Sequence, residues 1–179
     1  ITSDTVSLAG VSFSDVQASS NRVYFGCSDP AKKGQTVVQS LSLETTKEAP
    51  TQHSDNAHNV RSAVHEYGGG AFCVGPATQG GGVIYTDFPS HVVYWKKEGE
   101  DAVQIFPAPG TTSPCRLANF FLVESTANTA IEEPFLIAVM EDHTDPAPAN
   151  VINSIVRLSL DGSGQASVQT LATGRDFYA

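Results

Sequence analysis

The sequence has few charged residues, few cysteines and no long hydrophobic run. Only 16% of its 179 residues are charged against 40% that are hydrophobic, a balance typical of a packed globular chain and not of a disordered one. The three cysteines are widely spaced with no C-x-x-C pair, which argues against a zinc ribbon or a disulfide framework and favours buried free thiols. The longest apolar runs fall far short of the ~20 residues that cross a bilayer, so we expect a soluble chain without a membrane partner.

Basic residues are also scarce. Ten lysines and arginines stand against 19 acidic residues, and the formal net charge is −9 at pH 7. Such a surface repels phosphate backbones, so we expect no nucleic-acid partner. No N-x-[ST] glycosylation acceptor occurs, and with the unpaired cysteines this favours a cytoplasmic location.

Helical periodicity is almost absent from the sequence. Short apolar or alternating runs, separated by Gly, Pro, Asp and Asn, recur along the chain and predict an all-β fold. Three hairpins repeat one pattern, with paired runs at 22–30 and 36–43, 83–89 and 91–97, and 135–143 and 152–160. Flanking strand candidates lie at 10–16, 69–74, 102–106, 116–123 and 166–171.

The repeat predicts a partial β-propeller. A period of roughly 50 to 60 residues with four antiparallel strands is that of a propeller blade, whose middle strands are covered on both faces. We place three blades at about 8–58, 59–110 and 111–173. Because three blades cannot close a ring, we expect residues 1–179 to be the N-terminal part of a larger propeller.

Residues 59–72, NVRSAVHEYGGGAF, carry a family resemblance. They resemble the propeller signature of prolyl oligopeptidase family serine peptidases, in the acylaminoacyl-peptidase and dipeptidyl-peptidase-like branch. The motif residues are Arg61, His65, Glu66, Tyr67, Gly68, Gly69 and Gly70, joined further along by Glu141, Asp142 and His143. The resemblance continues through 84–88, 138–143, 153–158 and 174–178, and it weakens over 24–35 and 119–134.

The resemblance implies a non-catalytic role for this chain. In such peptidases the catalytic Ser, Asp and His lie in a C-terminal α/β-hydrolase domain of the same polypeptide, and the propeller gates and docks short peptide substrates. No G-x-S-x-G nucleophile elbow occurs here, so we expect no catalytic residue in this chain. We also expect no cofactor and no metal site.

Considered alone, the motif residues favour a structural interpretation. His65 and Glu66 are adjacent, so on an extended strand they point to opposite faces and cannot act together on one substrate atom. One of the two side chains then fixes the start of the strand by hydrogen bonds or faces the central tunnel of the propeller. The three glycines lack the context of a phosphate loop, and we attribute them to close backbone approach near the propeller axis.

Two groups that contain acidic residues are candidate sites. Glu132 and Glu133 are candidates for binding a substrate amino terminus, because an acidic pair does so in dipeptidyl-peptidase relatives; a solvated turn is the simpler interpretation. Glu141, Asp142 and His143 are consecutive and rarely would converge on one ion, so we expect them to cap a loop.

Two other functions are alternatives to a peptidase propeller. A stand-alone propeller that binds or scaffolds partners without a hydrolase domain would have the same blade repeat and acidic surface. A sugar- or lactone-processing propeller enzyme is disfavoured, since no blade shows a repeated inward His or Asp. Coding sequence beyond Ala179 with a G-x-S-x-G would decide for the peptidase.

Overall fold

Three antiparallel sheets make up the chain in the computed structural model, which describes residues 10–45, 48–124, 131–160 and 166–175. Sheet 1 contains β1 (Ser12–Ser19), β2 (Arg22–Asp29), β3 (Gln35–Ser42) and β4 (Thr51–Gln52). Sheet 2 contains β5 (Phe72–Val74), β6 (Val83–Thr86), β7 (Val93–Lys96) and β8 (Val103–Phe106). Sheet 3 contains β9 (Cys115–Val123), β10 (Phe135–Asp142), β11 (Ile152–Ser159) and β12 (Val168–Thr173).

Each sheet is a four-stranded meander in chain order. Within the described ranges, the helical segments are three short 3₁₀ turns at Pro30–Lys32, Ala77–Gln79 and Pro148–Asn150. The prediction of an all-β chain with three four-stranded antiparallel blades is confirmed. Strand β4 was not predicted, because its two residues, Thr51 and Gln52, give no apolar or alternating pattern.

The first strands of the three sheets lie side by side, since β5 contacts both β1 and β9. Side chains and backbone link them directly. The Gln17 amide donates to the Phe72 carbonyl at 2.8 Å, and the Asn119 N–H donates to the Gly70 carbonyl at 2.8 Å. Sheets whose first strands adjoin in this way are arranged as blades around a propeller axis, which confirms the partial propeller.

Two apolar cores hold the sheets together. The larger core joins sheets 2 and 3 through buried side chains that include Ile84, Trp95, Leu117, Leu136 and Val156. The smaller core joins sheets 1 and 2 and is centred on Val38, Phe72 and Tyr85. Because β6 is buried at all four positions, it is covered on both faces, which explains its unbroken apolar run.

Large hydrophobic side chains remain exposed on the first strands of the two outer sheets. Phe13 on β1 is 65% exposed and Phe121 on β9 is 67% exposed. Apolar exposure on the outer sheets of a stacked array is what an open set of blades leaves uncovered.

Leu136 tests the core between sheets 2 and 3. Leu136→Ala should lower the free energy of unfolding by about 2–5 kcal/mol, because the residue is fully buried and the cavity cannot refill. Chemical denaturation followed by circular dichroism measures this loss. The matched control is Phe121→Ala on the neighbouring strand, which should change stability by less than about 1 kcal/mol. Equal effects of the two substitutions would contradict the assignment of the core.

Candidate functional site

The motif run around His65 forms a turn rather than the start of a strand. Residues 64–67 are a turn, and β5 begins only at Phe72, so the expectation of a strand from residue 69 was wrong. His65 and Glu66 have left-handed backbones, with φ of 55° and 62°. Two such non-glycine residues in succession cost of order 1–3 kcal/mol each and persist only where their surroundings hold them. The opposite-faces argument for His65 and Glu66 therefore does not apply.

Sheet 3 holds this turn through a buried carboxylate. Glu141, near the end of β10, is only 4% exposed, and its Oε1 accepts the His65 backbone N–H at 2.7 Å. The same oxygen lies 3.3 Å from the His65 Nδ1 atom. Its Oε2 lies 3.0 Å from the His143 Nε2 atom. The fold thus brings His65, Glu141 and His143 into one cluster, although Glu141 and His143 were predicted to cap a loop and His65 to serve the start of a different strand.

Arg116 supplies the second link from sheet 3 to the turn. It is the direct cross-strand partner of Glu141 in the β9–β10 ladder. Its Nη1 atom donates to the Ala63 carbonyl at 3.2 Å and to the Glu66 Oε1 atom at 3.1 Å. The Arg116 side chain is 22% exposed, whereas that of Glu66 is 79% exposed. Glu66 is therefore the solvent-facing carboxylate of the cluster.

Val64 anchors the turn from the apolar side. It is 2% exposed and packs against Ala118 and Val139 of sheet 3. Ser62 just before it donates its hydroxyl to the Leu117 carbonyl at 3.0 Å. The buried Val64 and the exposed Glu66 therefore give the turn an inward side and an outward side.

A pocket of about 590 Å³ opens beside this turn. Its polar side is formed by Glu66, Arg116, Glu141, His143 and Asn153. Its apolar side comes from the β10–β11 loop, through Pro146, Pro148, Ala149 and Val151. The pocket can receive a ligand that offers hydrogen-bond donors to a carboxylate and apolar groups to the loop.

The remaining predicted site residues lie around or away from this pocket. Asp142 accepts from the Thr144 N–H and hydroxyl, and these bonds lower the pKa of the Asp142 carboxyl. The Arg61 guanidinium lies 5.2 Å from the centre of the Phe88 ring. Tyr67 is 92% exposed.

Glu132 and Glu133 are exposed in a bend just before β10. The pocket lies at the other end of that strand, about 20 Å away at the usual rise per residue. The structure therefore does not bring the acidic pair together with the motif.

The three glycines have different reasons to be glycine. A side chain at Gly68 would lie 2.5 Å from the Ser62 carbonyl oxygen, and one at Gly70 would collide with the backbone of Asn119. Asn119 occupies a bulge in β9, so Gly70 meets the neighbouring inner strand as the crowding argument predicted. That argument is wrong for Gly69, which faces open space and instead needs its φ of 110°.

Sequence reasoning missed Arg116 and His91. Arg116 gave a weak signal as a lone charge at the start of an apolar strand. Burial, and then the charges of Arg116 and His143, lower the pKa of the His91 imidazole, while the Asp87 carboxylate acts in the opposite direction. Arg116 lies 25 positions and His143 lies 52 positions after His91, so no short sequence motif connects the three residues.

Two other kinds of feature are absent from the part of the chain that the structure describes. Over the described ranges, no group of three or more His, Cys, Asp and Glu side chains is arranged to hold a metal ion. No helix within those ranges has the length and apolar character to cross a membrane.

Gly69 and Gly70 provide a matched pair for stability measurements. Gly69→Ala should cost about 1–2 kcal/mol, from backbone conformation alone. Gly70→Ala should cost roughly 2–5 kcal/mol, because overpacking against Asn119 is added to the backbone cost. Denaturant titration of both variants measures the difference. A Gly69→Ala variant that is the less stable of the two would refute the contact between Gly70 and β9.

His91 gives the folded chain a pH dependence with a defined sign. Its pKa is lowered in the folded state, so between that value and the unfolded value of about 6.5 the unfolded chain binds more protons. Stability should therefore fall as the pH drops below about 6.5. His91→Asn removes the titration and tolerates the left-handed backbone, so its melting temperature should fall less between about pH 7 and 5. Parallel curves for the two proteins would contradict this assignment.

No protein-family model matches the chain, and no curated protein sequence matches it either. Solved structures do match. A puromycin-hydrolyzing peptidase of Mycobacterium tuberculosis superimposes with a TM-score of 0.74 and 22% identity, over 94% of this chain and 25% of that one. A structure of puromycin hydrolase gives 0.65 and 24%, and a mutant of it complexed with PGG gives 0.66 and 21%, each over 93% of this chain and 25% of the other.

This chain thus spans about a quarter of the length of each peptidase that it matches. The matched region of those peptidases has the fold of the three sheets described above. The resemblance to a peptidase propeller, predicted from residues 59–72, is confirmed at the level of the fold: the chain has the architecture of part of a puromycin-hydrolyzing peptidase.

Proposed function

We propose that this chain is a propeller segment that docks and gates short peptides for a serine peptidase of the prolyl oligopeptidase family. In this proposal the catalytic α/β-hydrolase domain belongs to the same polypeptide and is its main partner, and the enzyme acts in the cytoplasm. The fold likeness to puromycin-hydrolyzing peptidases and the motif at residues 59–72 support the family. The pocket beside the motif turn supports the role.

The observation that carries the proposal is the exposed carboxylate of Glu66 at the edge of that pocket. A peptide presents N–H donors and ammonium groups, and an ionised carboxylate is a strong acceptor for both. Arg116 pairs with Glu66 and leaves most of its side chain accessible. The proline-rich β10–β11 loop opposite offers apolar contacts for the side chains of a peptide.

A second opening supports the gating part of the proposal. It encloses about 480 Å³ and is lined from the far ends of the three inner strands, including Ser19, Val74 and Leu122. Arg116 and Leu122 lie on the same strand, β9, so the two pockets are about 20 Å apart along the inner strands. A peptide that lies along these strands, from one pocket to the other, would be admitted or excluded according to its width.

The chain should bind peptides without cleaving them, because its sequence has no nucleophile elbow. We expect short unlabelled peptides to shift amide signals of residues 64–68 and of the β10–β11 loop in an NMR titration. Glu66→Gln should weaken binding about tenfold, because the amide loses the charge that strengthens the hydrogen bond. Since the Glu66–Arg116 pair is exposed, its loss should change stability by less than about 1 kcal/mol.

Glu133→Gln is the matched control, because it removes an exposed carboxylate at the far end of β10. It should leave the affinity unchanged. Loss of binding in Glu133→Gln but not in Glu66→Gln would move the docking site to the acidic pair. Absence of any peptide binding, or hydrolysis blocked by a serine-directed phosphonate, would overturn the proposed role of the chain.

A further inference from the structure

We infer that Arg116 and Glu141 form a positioning pair, which fixes the direction in which the motif turn presents Glu66. The inference rests on the proposed docking function and concerns the control of that same pocket. It assigns no contact with the peptide to Glu141. That carboxylate acts at a distance, through the backbone of the turn.

The turn needs external support. His65 and Glu66 both adopt the left-handed backbone that non-glycine residues avoid. The turn closes on itself through two backbone bonds, from the Glu66 N–H to the Ala63 carbonyl and from the Gly68 N–H to the Val64 carbonyl, each 3.1 Å long. These bonds lie within the turn, so they do not determine its orientation relative to sheet 3.

Val64 and Ser62 attach the turn to sheet 3, and the positioning pair sets its direction there. Arg116 and Glu141 lie directly opposite each other on β9 and β10, so their side chains share one face of sheet 3. Glu141 receives the His65 N–H, and Arg116 donates to the Ala63 carbonyl, so the pair holds a donor and an acceptor on either side of Val64. Arg116 then holds the Glu66 carboxylate as well.

Burial separates the two carboxylates by role. Glu141 is 4% exposed and both of its oxygens already have partners, in His65 and His143. The Glu66 side chain is 79% exposed. The geometry therefore gives the ligand-facing part to Glu66 and the positioning part to Glu141, which sits on a rigid strand as preorganised sites require.

A double-mutant cycle on the 179-residue chain tests this assignment. Glu66→Gln, Glu141→Gln and the double variant are titrated with the same short peptides by NMR. If Glu141 acts through Glu66, each single substitution weakens binding about tenfold and the double variant is no weaker than the worse single variant. Losses that multiply to about a hundredfold would overturn the inference.

Hydrogen exchange gives a readout that does not depend on peptide binding. Glu141→Gln should speed exchange of the His65 amide at least about tenfold, since its acceptor loses its charge, while Glu66→Gln should not. The control is Asp142→Asn on the next residue, which bonds Thr144 and should alter neither readout. An unchanged His65 amide in a folded Glu141→Gln variant would refute the inference.

Arg116→Lys repeats the cycle if Glu141→Gln does not fold. Lysine keeps the charge but lacks the planar fork of the guanidinium, so the expected non-additivity with Glu66→Gln is the same. Additive losses in this cycle also count against the inference. If the unsubstituted chain binds no peptide, the proposed function fails, and hydrogen exchange alone still decides whether the pair positions the turn.

Discussion

The packing of sheet 2 against sheet 3 is the contact on which the candidate site depends. The motif turn belongs to the chain segment before β5, whereas Arg116 and Glu141 belong to β9 and β10. The buried core between these sheets, together with the packing of Val64 on Ala118 and Val139, brings them to hydrogen-bond distance, across 76 positions of sequence in the case of His65 and Glu141. The site is therefore a property of two adjacent blades, and neither sheet contains it alone.

Short-range patterns were enough to predict the sheets, because strand signals are local. Apolar runs bounded by turn residues located eleven of the twelve strands, and Thr51–Gln52 was too short to leave such a signal. The turn at His65 could not be found this way. Its left-handed residues are held by partners from sheet 3, and the modest preference of His for that conformation does not predict two such residues in succession. Arg116 could not be identified for the same reason, because its contacts with the motif turn form only in the folded chain.

Local sequence reasoning explains the three consecutive glycines at 68–70 only in part. Crowding against the neighbouring inner strand accounts for Gly70, whereas Gly68 meets the Ser62 carbonyl of its own connecting segment at close range. Gly69 sits between them with free space around it and requires only an unusual φ. Three consecutive glycines therefore have two physical causes, steric exclusion and backbone conformation, and coordinates are needed to separate them.

Side chains alternate between the two faces of sheet 3 along β10. Glu141 is therefore buried against the motif turn, whereas its neighbour Asp142 points toward the loop and bonds Thr144. A single residue deleted within 135–141 would bring Asp142 into the position of Glu141, because a shift by one position reverses every side chain of a strand. Asp142 would then face the turn with a side chain one methylene shorter. The length of β10 is therefore constrained by the site. A change in the length of the loop at 143–151 would leave the alternation of side chains along β10 intact and would alter the loop side of the pocket.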